Sequence, residues 1–145
     1  MEPDYLGGII DPNIGPVVPV TIGLSFAEAR QRVDPPPMKR VSGLVDTGLE
    51  ISGISQEVYI ELGASSKVYT RHQYIPLRGV ELRSFVKLYI AIEGFMPNVL
   101  FRSIEVTVGV HTGSPQCVLG RNFLEGIELQ YSGAFDIFGL KPSQL

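Results

Sequence analysis

The stretch GLVDTGLEIS, residues 43–52, runs two apolar residues into Asp46, Thr47 and Gly48. A strand that ends in a carboxylate and then a glycine has two readings. Asp46 caps a turn with its side chain, as Asp commonly does, or it is held there for chemistry. Gly48 lets the backbone crowd the carboxylate without a Cβ clash, and hydrogen bonds from the amides of such a loop can keep one carboxylate ionised. Hydrolysis by carboxylates needs two of them, because one group takes a proton from water while another gives a proton to the group under attack. The chain carries a single Asp-Thr-Gly, so an enzyme built on it takes its second carboxylate from a second copy across a two-fold axis. Two Asp46 groups brought together do not both ionise easily. They share a proton and titrate as a coupled dyad, one acting as base and the other as acid.

A second motif follows in VLGRNFLEGIEL, residues 118–129, where two apolar residues lead into Gly120, Arg121 and Asn122 and then a helical turn. Together LVDTG and VLGRNFL resemble the retropepsin-like aspartic proteases, the single-domain family of the retroviral enzymes, over roughly residues 14–138. The resemblance implies an all-β, closed single-domain barrel with one or two short helices, spanning 1–145 and working as a homodimer on a peptide or protein substrate without metal or other cofactor. It makes Asp46 catalytic. It gives Thr47 and Gly48 to the active-site loop, with Thr47 locking two subunits face to face. Val118, Leu119, Gly120 and Arg121 become the supporting second motif, and an ion pair between Glu50 and Arg121 is expected beside the dyad. Residues 1–10 and 134–140 would contribute to an interface sheet. A flap hairpin would lie at about 74–88 with its tip near Gly79–Leu82, and Leu49, Glu50, Gly79, Val80 and Leu82 would meet substrate. Apolar pockets formed by Leu49, Ile51 and Leu82 imply apolar substrate side chains. Leu49 stands where the family usually has Ala or Ser, which narrows the cleft. That departure keeps a second reading open, a catalytically weak or silent peptide-binding or dimerisation module.

The elements that would carry these residues are short β-branched segments punctuated by 16 Gly and 11 Pro, the pattern of a barrel or sandwich. VVPVTIGL (17–24) reads as a strand, its Pro19 suggesting an edge. Residues 25–40 form a charged, Pro-rich insertion whose Pro35-Pro36-Pro37 stops any helix. KRVSGLVD resumes a strand. In SQEVYIELGAS, Ser55 reads as N-cap, Gly63 as C′, and Val58, Ile60 and Leu62 as buried positions of a two-turn helix. Alternation marks SFVKLYIAIEG as a half-buried strand and RSIEVTVGV as another, with Ile104, Val106, Val108 and Val110 on one face. CVLGRNFLEG reads as a short apolar strand, a Gly and one or two helical turns closed by Gly126. IELQYS and AFDIFG read as a hairpin around Ser132-Gly133.

Composition bounds the rest. At 145 residues, 44% hydrophobic and 19% charged, the chain has the makings of one globular core. A net charge of −3 with scattered bases argues against nucleic acid. The first ten residues carry acids where a signal peptide needs bases, and no apolar run approaches the roughly 18 residues of a spanning helix. The expectation is a cytoplasmic domain without membrane contact. Cys117, the single cysteine, reads as inert core. His72 and His111 stand in polar contexts with no metal-ligand spacing and read as surface.

Overall fold

β-Branched residues at alternate positions make residues 15–24 a strand, and the same logic builds most of the molecule. The computed structural model describes residues 6–30, 37–63, 68–75, 77–92, 100–109 and 115–142. In chain order these form β1 (Leu6–Asp11), β2 (Gly15–Leu24), α1 (Phe26–Ala29), β3 (Met38–Val45), β4 (Gly53–Ile54), α2 (Gln56–Leu62), β5 (Tyr69–Ile75), β6 (Gly79–Ile92), β7 (Leu100–Val108), β8 (Cys117–Leu119), α3 (Arg121–Leu124), β9 (Ile127–Ser132) and β10 (Ile137–Pro142). The protein is all-β with three short helices among the described residues.

One ten-stranded sheet runs in the order β5-β6-β7-β4-β8-β3-β2-β1-β10-β9, and β2 pairs with β6 as well. The run from β6 through β7, β4, β8 and β3 to β2 therefore returns to its first strand. Inside this circuit lies the core: Val18, Val20 and Ile22 of β2, Val86, Leu88, Ile90 and Ile92 of β6, and Ile54, Val106, Leu119, Phe123 and Phe138. Burial of such side chains is the main stabilising term in a domain of this size.

The circuit corrects one expectation. β2 is not an edge strand: it has β3 on one side and, on the other, first β1 and then β6. Pro19 is tolerated because β1 reaches only Gly15–Val17 and β6 only Val20–Leu24. Its missing N–H falls in the gap between the two partners.

α2 follows its capping signals. The Ser55 side chain accepts a hydrogen bond from the Val58 N–H at 3.2 Å, and Gly63 ends the helix in the left-handed region at φ 64°, as a C′ glycine does. Val58 and Leu62, one turn apart, are buried, but Ile60 is 66% exposed. Residues i and i+4 share a helix face whereas i+2 points away. In β7, Val106 is buried, and Ile104 and Val108 pack against the core; Val110 lies outside the described residues, as do residues 31–36 of the insertion, His111 and residues 1–5. The terminal segments pair with each other: Leu6–Ile9 lie antiparallel to Ile137–Leu140. β9 and β10 form the expected hairpin with a longer turn, Ser132 facing Ile137 and Asp136 at φ 52°.

Candidate active site

Asp46 is the first residue past β3. Gly43, Leu44 and Val45 pair in parallel with Cys117, Val118 and Leu119, and the Asp46 N–H continues the ladder by donating to the Leu119 carbonyl at 2.9 Å. The half-buried Asp46 carboxylate accepts from the Gly48 N–H at 2.9 Å through Oδ1. A Cβ on Gly48 would stand 3.1 Å from that same oxygen, so the glycine keeps space beside the carboxylate. Thr47 is exposed, and its carbonyl accepts from the Arg121 guanidinium at 3.2 Å.

The second motif interlocks with this loop. α3 begins at Arg121 with Gly120 as N-cap and no side-chain cap, so its first N–H groups need outside acceptors. The loop supplies them: the Arg121 N–H donates to the Leu49 carbonyl at 2.7 Å and the Asn122 N–H to the Glu50 carbonyl at 3.1 Å. Gly120 is required by this approach. A Cβ there would meet the Leu49 carbonyl oxygen at 2.9 Å and the backbone of Ile51 and Ser52 at 3.0 Å, and none of these atoms can swing aside.

Two residues central to the interlock escaped the sequence reading. The wholly buried Ser52 hydroxyl accepts from the Gly120 N–H at 2.8 Å and donates to Asn122 Oδ1 at 2.8 Å. That oxygen also accepts from the Ser52 N–H at 2.9 Å, and Asn122 Nδ2 donates to the Glu105 carbonyl at 2.6 Å. The Ser52 carbonyl accepts from the Thr107 N–H at 2.9 Å. One polar residue inside ISGIS and one following Gly-Arg were the available signals, since a buried hydroxyl or amide must find partners.

The expected Glu50–Arg121 ion pair is absent among the described residues. Arg121 is engaged by the Thr47 carbonyl, and Glu50 is tied through its backbone instead of its carboxylate. The motifs are joined by main-chain hydrogen bonds, not by opposite charges.

The hairpin above the loop is β5–β6, with Tyr69–Ile75 paired to Gly79–Phe85. Its tip is corrected to Leu77-Arg78: the Arg78 N–H donates back to the Ile75 carbonyl at 3.0 Å, Leu77 takes φ 70° and Gly79 φ 84°. Val80 and Leu82 face Tyr74 and His72 across the ladder and are 65% and 63% exposed. The opposite face of the hairpin turns Gln73, Ile75 and Arg83 over Leu49, Ile51, Gly53 and Thr107, enclosing with Arg78 a cavity of about 140 Å³.

Two larger grooves flank the loop. One of about 580 Å³ lies between Thr47, Glu50 and α3 on one side and Ile127, Leu129 and Leu140 on the other. The second, about 470 Å³, is bordered by Glu50, Ile51, Tyr69, Arg71, Lys87 and Glu105. Arg71 pairs with Glu105 and lies over the Phe85 ring, 4.3 Å from its centroid. Burial nevertheless raises the Glu105 carboxyl above its ordinary value. Cys117 is fully buried, and desolvation pushes its thiol up to about 12, which suits core packing and not a nucleophile. Among the described residues no three His, Cys, Asp or Glu side chains gather as a metal site, and no helix is long and apolar enough to cross a membrane.

No protein-family model and no curated protein matches the chain. The functional argument therefore rests on the site itself.

Proposed function

We propose that the protein is a homodimeric aspartic endopeptidase of retropepsin-like architecture, with Asp46 of each copy supplying half of the catalytic dyad. The observation that carries this reading is the interlock just described. A carboxylate sits at a strand end, oriented by the Gly48 N–H, on a loop whose next carbonyls cap α3 through a glycine where a Cβ would press on the loop backbone. A turn-forming Asp needs none of that second-motif support. The circuit of strand pairings supports a closed barrel. Dimerisation is supported by the exposed Thr47, by the neighbouring groove and by Leu129 and Tyr131, exposed on the outermost strand β9.

In the mechanism that follows, the two carboxylates share one proton. The ionised one takes a proton from water as that oxygen attacks the peptide carbonyl carbon. The protonated one gives its proton to the carbonyl oxygen, and the tetrahedral intermediate then collapses with proton transfer to the leaving nitrogen. An extended peptide would lie between loop and hairpin, held by main-chain hydrogen bonds in the manner of an added strand. No cofactor takes part.

Peptide-library cleavage from about pH 3.5 to 7 tests the reading across the range of a shared-proton dyad. Cleavage with an acidic optimum, abolished in Asp46→Asn, supports it; sedimentation as a monomer at high concentration removes the second carboxylate and sinks it. The catalytically silent peptide-binding module is favoured by one feature, Leu49 lining the small cavity under the hairpin. A folded, dimeric and inactive protein that gains cleavage on Leu49→Ala would establish it.

A further inference from the structure

The β5–β6 hairpin turns polar groups towards the floor and leaves large apolar side chains outside. Its outer face carries Tyr74, Val80 and Leu82, each more than 60% exposed, with Leu77 fully exposed at the tip. Its inner face carries Gln73 and Arg83 beside Ile75, and with Arg78 these roof the 140 Å³ cavity over Leu49 and Ile51. A hairpin lying on an ordinary core would turn the apolar face inward. Polar residues retained over a cavity mark a polar occupant.

The chemistry of the roof identifies that occupant. Arg78 and Arg83 line the cavity, and among the described residues no Asp or Glu does. Glu81 reaches Arg78 at 2.9 Å and Arg83 at 3.1 Å, so a single negative charge serves two positive ones and the cluster keeps one net positive charge. Arg83 Nε and Gln73 Oε1, shielded from water, have no hydrogen-bond partner among the described residues. Leaving such groups unpaired is costly, and two of them on one face over one cavity are best understood as awaiting a ligand. Turning the Gln73 amide over about its last torsion exchanges oxygen for NH₂. Arg83 and Gln73 then present two donors to a pair of acceptor oxygens, the arrangement a carboxylate takes from a guanidinium edge.

We propose that this cavity is a subsite for an acidic side chain of the bound peptide, with Arg83 and Gln73 as its specificity-determining residues. The inference rests on the peptide-binding reading of the groove, and it replaces the expectation of uniformly apolar pockets. Leu82, expected to help form them, faces the other way, and Arg83 occupies the inner position beside it.

The test is affinity selection of a randomised decapeptide library on the full-length Asp46→Asn protein, beside Asp46→Asn/Arg83→Met and Asp46→Asn/Gln73→Leu. Glu or Asp enriched about tenfold at one fixed position, as one charge-assisted hydrogen bond delivers, is expected, with enrichment lost in the Met variant and reduced in the Leu variant. Thermal unfolding confirms that each variant is folded, and Arg83→Lys should recover part of the preference because it restores charge without the planar fork. Absence of acidic enrichment, enrichment of Gln or Asn in its place, enrichment indifferent to both substitutions, or no retained peptide would each overturn the subsite. Cleavage by the wild type is read separately. Acid-selective binding with no cleavage removes the protease reading and leaves the subsite standing, whereas cleavage without acid preference does the reverse.

Discussion

The floor and the roof of the groove are built on opposite terms. The floor, residues 46–52, is fixed by contacts far away in sequence: the Leu119 carbonyl, the first two N–H groups of α3, and the side chain of Asn122. Its Ser52 is wholly buried. The roof beyond Phe85 is held chiefly by its own ladder and by exposed or half-exposed ion pairs, with β5 at one edge of the sheet. The floor is thus over-determined and the roof is free to adapt. That division suits a site where a carboxylate must be held to a fraction of an ångström while a peptide enters and leaves.

The largest effect should come from Asp46→Asn. The Asn keeps an acceptor for the Gly48 N–H, so the loop geometry and stability should change little. Loss of the shared proton removes both acid and base, and peptide cleavage should fall by roughly 10²–10⁴-fold or more. Residual cleavage at wild-type rate would transfer the chemistry elsewhere.

The next effects are on stability and bear on the floor alone. Asn122→Ala strips the Ser52 N–H and hydroxyl of their acceptor and frees the Glu105 carbonyl, at a cost of about 2–3 kcal/mol in urea unfolding. Gly120→Ala forces a methyl group against the Leu49 and Ile51 backbone and should cost about 1–3 kcal/mol. Glu81→Gln on the roof, which loosens two partly exposed ion pairs, should cost no more than about 1 kcal/mol. If Glu81→Gln proved as damaging as Asn122→Ala, the contrast between floor and roof would collapse.

How far this division could be read from the sequence follows from what each part depends on. The two motifs were legible because Gly48 and Gly120 mark places where the chain comes close to its neighbours, and α2 because Ser55 and Gly63 are local caps. The Ser52–Asn122 pairing was not legible, since those residues are 70 positions apart and nothing local says which polar group meets which. The orientation of the hairpin was not legible for a related reason. Alternation fixes that Leu82 and Arg83 lie on opposite faces but not which face meets the groove. The tip itself depended on the turn: Leu77 and Gly79 take positive φ, which sets it back from Gly79–Leu82.

A smaller effect, confined to alkaline pH, measures how dry the floor is. Cys117 pairs with Gly43, three residues before Asp46, and burial pushes its thiol up to about 12. Above pH 9 the unfolded chain releases this proton while the folded chain retains it, so the unfolded state binds fewer protons and stability falls as pH rises from 9 towards 12. Cys117→Ala should flatten that fall relative to wild type, although it leaves a small void and lowers stability at pH 7. Tyr59, raised by burial and then by Glu28, adds the same sign of slope in both proteins and cancels in the comparison. Equal slopes would mean that water reaches β8.

The smallest expected change is on the outer face of the roof. Leu82→Ser and Val80→Ser replace side chains already about two-thirds exposed, so in the free chain little apolar area is returned to water and stability should stay within about 0.5 kcal/mol of wild type. The inner face answers differently to a change of similar size: Arg83→Met should alter which peptides bind. Measuring unfolding and peptide selection side by side for Leu82→Ser and Arg83→Met separates the two faces of one strand. Leu82→Ser that changes acid selection without changing stability would mean that the outer face, not the inner one, meets the peptide. The hairpin would then close on the groove by turning over, and the positions of Arg83 and Leu82 in the mechanism would exchange.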